Sequence, residues 1–190
     1  VPGSVQSVLD VGAGHGVFLE ELMAQRGVAG VGIEITQEDG LVRVVSPIEG
    51  SPADCVLAGV GEILRDAPPD LILSGVNRGH NVAEDTLYSG TVGGAMEGAL
   101  HGFRSIALSQ YYGAEMEGPN PFASALAHGV ETCRRLLASA PWGAGRHDVF
   151  YNVNFPSVPA HAVRGIRATV QGRRPATTFG VQPQIAPNGR

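Results

Sequence analysis

Between Leu73 and Gly102 the chain reads LSGVNRGHNVAEDTLYSGTVGGAMEGALHG, a run that carries the side chains of a phosphate site. A short apolar stretch, Asp70 to Ser74, leads into a polar loop holding Asn77, Arg78, His80, Asn81, Glu84 and Asp85. The loop ends at Ser89-Gly90-Thr91, where a helix opens. Bare N–H groups at a helix start, with its dipole, favour an anion. Ser89 has two readings that share one geometry: an N-cap for the helix, or a hydroxyl aimed with the first N–H groups at a phosphate. Asn77 likewise reads either as a turn former in Gly-Val-Asn-Arg-Gly or as an amide oxygen for a hard cation. His80 reads as a loop residue or a general acid, and Asn81, Glu84 and Asp85 as solvated or functional polar groups. Gly93 and Gly94 each cost about 1 kcal/mol inside a helix relative to Ala. That cost implies close packing of the helix on a sheet or close approach of a ligand.

Alternating elements must hold these groups. Val5–Val11, Val31–Ile35, Leu41–Val45, Leu71–Ser74, Ser105–Ser109, Asp148–Phe155 and Val163–Gln171 have strand patterns. Val17–Arg26, Pro52–Arg65, Gly90–His101 and Pro121–Ser139 have helical ones. The rhythm predicts an α/β fold: a Rossmann-like, doubly wound, mostly parallel sheet with helices on both faces. The last two strands break it and predict an incomplete antiparallel C-terminal extension. In such sheets ligands bind at the carboxyl ends of strands, where the polar loop falls.

Composition excludes several classes. With 190 residues, 43% hydrophobic and 16% charged, the chain suits one soluble globular domain. A net charge of -5 argues against a nucleic-acid duplex or a membrane surface as partner. All 13 basic residues are Arg, which removes Schiff-base and Walker-lysine chemistry. No apolar run reaches membrane-span length. Cys55 and Cys133 lie in apolar helical patterns and read as buried free thiols of a cytoplasmic protein. His15, His101, His128, His147 and His161 have no metal-ligand spacing, and Asp54, three residues after Ser51, sits in a capping-box position.

As a string, these residues resemble the SurE family of metal-dependent 5′/3′-nucleotidases. The resemblance rests on Gly50-Ser-Pro-Ala-Asp-Cys55, Pro69-Asp70, Ser74-Gly-Val-Asn-Arg-Gly79, Asn81, Asp85, Tyr88-Ser-Gly-Thr-Val-Gly93, Glu97-Gly98 and Ala107-Leu-Ser109. Asn152-Val-Asn-Phe-Pro156 and Val170-Gln-Gly-Arg-Arg174 extend it, so that it covers about residues 47 to 190. It implies a phosphomonoesterase that hydrolyses nucleoside 5′(3′)-monophosphates to nucleoside and phosphate. Asn77 and Asn81 would then be catalytic, Asn77 a ligand of Mg or Mn, and Ser89, Gly90 and Thr91 the phosphate site. The cation would polarise the phosphoryl oxygens and supply a nucleophilic water. A homodimer or tetramer is implied for the intact family.

The first strand departs from that family, which begins with Asn-Asp-Asp-Gly and takes its principal metal ligands from the two aspartates. Here it runs Val8-Leu-Asp-Val-Gly-Ala-Gly-His-Gly16. This segment, with Glu34 at the end of the next strand, resembles motif I of S-adenosylmethionine-dependent methyltransferases of the MetW type. That resemblance spans residues 5 to 39 and implies cofactor binding by Asp10, Gly12, Gly14 and Glu34. The same glycines would also serve the first β–α turn of any Rossmann-like sheet. The expected organisation is a methyltransferase-like β–α–β start over residues 1–46, a nucleotidase-like body over 47–172 and a truncated C-terminal extension over 173–190. Opening without Met and ending at Arg190, the chain is expected to be a fragment. A metal held by Asn77 alone would be weak, so the expectation divides between an active nucleotidase, an inactive one and a non-catalytic fragment.

Overall fold

The computed structural model describes residues 7–12, 29–33, 50–113, 120–143 and 149–174. Five strands form one sheet: β1 (Ser7–Val11), β2 (Ala29–Ile33), β3 (Leu71–Arg78), β4 (Arg104–Gln110) and β5 (Tyr151–Phe155). Their spatial order is β2-β1-β3-β4-β5, and every pairing is parallel. Among the described residues three α-helices accompany them: α1 (Pro52–Ala58), α2 (Gly90–Leu100) and α3 (Ala123–Ser139). This is the doubly wound α/β sheet that the alternation predicts. The helix expected over 17–26 and the strand over 41–45 lie outside the described residues.

Strand alternation sorts the core to two faces. Val8, Leu71, Leu73, Ile106 and Leu108 meet Ala125, Val130 and Cys133 of α3, with Phe155 of β5. On the other face, Leu9, Val11 and Ile72 meet Cys55 and Val56 of α1, and Ala107 meets Val92 and Ala95 of α2. Small residues let α2 lie close. A Cβ on Gly94 would come within 2.8 Å of the Ser74 hydroxyl, and one on Gly98 would collide with Ser105 and come within 2.8 Å of Ile72. The cost anticipated for Gly94 thus reflects helix–sheet contact, whereas Gly93 has open space where its Cβ would be.

Three expectations are corrected. The helix from Pro52 keeps α-geometry only to Ala58, then widens into a π turn over Gly59–Ile63, where Gly59 and Gly61 loosen the backbone. β5 is parallel to β4, not antiparallel. Residues 163–171 pair with no strand among the described residues. They run exposed, with Gly165 at φ 150°, and their tie is a side-chain one, Gln171 Nε2 donating to the Ala83 carbonyl at 3.0 Å. Apolar alternation supplied the pattern, but side-chain ties rather than strand pairing hold the segment.

Burial pushes the Cys133 thiol up to about 12, and the charge of Asp10 adds to the shift. The unfolded thiol ionises near its ordinary value of 9.0, while the native one keeps its proton. Stability from this group is therefore complete below pH 9 and falls as pH rises towards 12. Between pH 9 and 10 the expected loss is about 1 kcal/mol. Urea unfolding at the two values should show it in the wild type and not in Cys133→Ala.

Candidate active site

The site is built where β3 leaves the sheet. Gly75 has φ 120°, and a Cβ there would overlap the backbone carbonyl of Leu108 on β4. The β3–β4 register shifts between Ser74 and Asn77 and resumes with Asn77 opposite Ser109 and Arg78 opposite Gln110. The strand thus runs past Ser74, where the sequence pattern ends it, and Asn77 and Arg78 belong to β3. Asn77 donates through Nδ2 to the Gly79 carbonyl at 3.0 Å. A carbonyl accepts only from the NH2 end, so the bond fixes the amide orientation and leaves Oδ1 as its available oxygen. The turn-forming role of Asn77 is realised, and it leaves the ligand-type oxygen uncommitted. Gly79, at φ 128°, donates its own N–H to the Gln110 carbonyl at 2.9 Å.

Asn81 follows, and it is buried. Its Nδ2 donates to the Ser109 hydroxyl. Its backbone N–H donates to Asn154 Oδ1 at 2.7 Å, and its carbonyl accepts from Asn152 Nδ2 at 2.8 Å and Asn154 Nδ2 at 3.2 Å. Asn152 and Asn154 are two apart on β5, so they share a face, while Tyr151, Val153 and Phe155 turn to the core. Ser109 and this asparagine pair hold the loop by both side chain and backbone. Asn77 and Asn81 are thereby brought together at the carboxyl end of β4.

The chain then makes a 3-10 turn over Ala83–Tyr88 and enters α2. Ser89 is the N-cap of α2: its hydroxyl accepts from the Val92 N–H at 3.1 Å, and its carbonyl accepts from the Gly93 N–H at 2.9 Å. The N–H groups of Gly90 and Thr91 belong to the first turn, which has no intrahelical acceptors to offer them. That turn carries no acidic residue, so nothing on it offsets the positive end of the helix dipole. A Cβ on Gly90 would lie 3.1 Å from Pro52, which opens α1, so the two helices start side by side. At α1, Ser51 and Asp54 close the expected capping box, and these bonds hold the Asp54 carboxyl below its ordinary range.

Glu84 and Asp85 are engaged by Arg174. The Arg174 N–H donates to Glu84 Oε2 at 2.7 Å, and its guanidinium lies 3.7 Å from Glu84 and 3.2 Å from Asp85. The Arg174 N–H holds the Glu84 carboxyl below its usual value. The segment that Gln171 ties to Ala83 therefore sets one guanidinium against both acids.

A divalent cation needs several oxygens, preferably anionic ones. Near Asn77 the described residues offer neutral amide oxygens, and Glu84 and Asp85 already face Arg174. Among the described residues no group of three or more His, Cys, Asp or Glu side chains could hold a metal ion. The donor set present does not fit Mg or Mn. Asp10 is fully buried on β1, near Cys133 on the α3 face, and Gly12 follows β1 at φ 76°. Gly14 and Glu34 lie outside the described residues.

The family model described as "Survival protein SurE" matches residues 10–178. The chain belongs to the SurE family. SurE-type relatives named 5′-nucleotidase SurE include those of Roseobacter denitrificans, 57% identical over 143 residues, and Ruegeria pomeroyi, 56% identical over 143. Another, from a Jannaschia species, is 58% identical over 146 residues. Each match takes in 75% of this chain and 55% of the relative, so the chain spans about half the length of the curated relatives it matches. The crystal structure of the SurE protein from Aquifex aeolicus superposes with a TM-score of 0.65 at 30% identity, covering 97% of this chain and 79% of that one. The SurE match begins at Asp10 and takes in the glycine run, so the methyltransferase alternative is not supported.

Ser109 and Arg174 hold the SurE loop without having stood out as site residues, and Asn152-Val-Asn154 stood out only as a motif. Two asparagines at strand spacing were the one local signal that side chains of β5 turn towards the loop. Ser109 and Arg174 also lay within motifs, but nothing local named their partners, which lie 28 and 90 residues away. No helix among the described residues is long and apolar enough to cross a membrane.

Proposed function

We propose that this chain carries a SurE-type phosphomonoesterase site that takes nucleoside 5′(3′)-monophosphates and releases nucleoside and phosphate. The observation that carries the reading is the start of α2: Ser89 capping, Gly90 and Thr91 with uncommitted N–H groups, and no acid in the first turn. In this reading those N–H groups and the Ser89 hydroxyl bind the phosphoryl oxygens and orient the ester. Asn77 stands at the end of β3 with its Oδ1 an acceptor suited to a cation rather than to the anion itself, and Asn81 keeps the intervening loop in place. The Mg or Mn implied by the family resemblance would need acidic ligands beyond the described donor set. The buried thiols Cys55 and Cys133 suit a reducing cytoplasm.

Phosphate release from AMP tests the activity, and calorimetry with inorganic phosphate tests the site. Ser89→Ala is expected to weaken phosphate binding about tenfold, and to cost about 1 kcal/mol of stability through the lost cap. Unchanged phosphate affinity in that variant would remove the α2 assignment, and AMP turnover that survives Asn77→Ala would remove Asn77 from catalysis.

A further inference from the structure

Just beyond Asn77 and Ser109, the ends of β3 and β4 carry two stacked pairs. The Arg78 guanidinium lies over the Tyr112 ring, 4.3 Å from its centroid. The His80 and Tyr111 rings meet edge to face, with centroids 4.6 Å apart and planes at 67°. Large aromatic side chains normally bury their rings, yet Tyr111 is 42% exposed and Tyr112 50%. This ledge is held from below by a buried glutamine. Gln110 donates to the carbonyls of Pro156 at 2.8 Å and Tyr111 at 3.2 Å, and its Oε1 accepts from the Ala125 N–H at 3.0 Å. The backbone N–H of Tyr111 donates to the Phe155 carbonyl at 2.8 Å. The tyrosines therefore leave the sheet on a fixed backbone, one and two residues past Gln110, which pairs with Arg78.

We propose that Arg78, His80, Tyr111 and Tyr112 form the nucleobase subsite of this site, taking the planar ring of a purine or pyrimidine by stacking. The inference rests on the phosphate reading of α2 given above. Every base has a π-face that a tyrosine ring or a guanidinium plane can cover, whatever its hydrogen-bonding edge. Such a ledge adds affinity for the nucleoside while choosing weakly among bases. Pre-stacked side chains on an anchored backbone lose little freedom when a ring settles on them.

Calorimetry of the whole chain with AMP, ribose 5-phosphate and adenosine tests it. In the wild type AMP should bind more tightly than ribose 5-phosphate. Tyr112→Ala should weaken AMP about tenfold and move ribose 5-phosphate less than twofold, and Tyr112→Phe, which keeps the ring, should restore AMP. If ribose 5-phosphate binds and Tyr112→Ala leaves the AMP preference intact, the ledge is overturned and the phosphate site stands. If ribose 5-phosphate does not bind, the phosphate reading falls, and adenosine binding that depends on Tyr112 would alone sustain the ledge; without it both fall.

Discussion

Gly75→Ala is expected to lower the unfolding free energy by about 3–5 kcal/mol, adding backbone strain to overlap. With φ at 120° the position lies where L side chains rarely go. The new methyl would also run into the Leu108 carbonyl, a ladder atom of the neighbouring strand that cannot rotate aside. Gly79→Ala is the control. Its φ is 128°, but the nearest atom to its Cβ would be Asn77 Nδ2 at 3.6 Å, so it carries strain of about 1–3 kcal/mol without collision. The chain has a single tryptophan, Trp142, packed edge to face on Tyr151 at 4.8 Å, whose fluorescence can report urea unfolding. Equal losses in the two variants would show that the close approach of β3 to β4 at Gly75 has been misread.

Asn81→Ala carries the second large effect, about 2 kcal/mol, because Ser109 is fully buried and would lose the donor that its hydroxyl accepts. A double-mutant cycle with Ser109→Ala should return a coupling of about 1 kcal/mol. Near-additive losses would mean that the two side chains do not act as a pair. The functional consequence should be separable from stability. Asn81 sits between Asn77 and Ser89, so a loosened loop should also weaken binding of inorganic phosphate at temperatures where the variant is still folded.

Much of the architecture was legible because local patterns and tertiary demands agree. Leu71 to Ser74 and Ser105 to Ser109 read as buried strands, and the sheet places them side by side at its centre. Ser89 read as both cap and anion site, and the structure realises the cap while leaving two N–H groups uncommitted. The pattern failed where sequence-distant partners decide. The apolar alternation of 163–171 looked like a strand, but what fixes that segment is a side-chain bond and an arginine on two acids of another loop. The reach of β3 to Arg78 was hidden because the apolar pattern stops at Ser74, whereas the freedom of Gly75 lets the strand bend against β4 and continue. The loop clamp of Asn152 and Asn154 could be suspected from their spacing, but its target could not be named.

The bare faces of α2 at Gly94 and Gly98 have a consequence for aim. A helix seated on long, pliable side chains can roll and slide, and its end wanders with it. Here the rod touches Ser74, Pro52, Ser105 and Ile72 with no cushion between. Its bearing is therefore fixed at two points, one and two turns behind the end proposed to take the phosphate. The orientation of the Gly90 and Thr91 N–H groups is set from the rear, by atoms packed on Gly94 and Gly98.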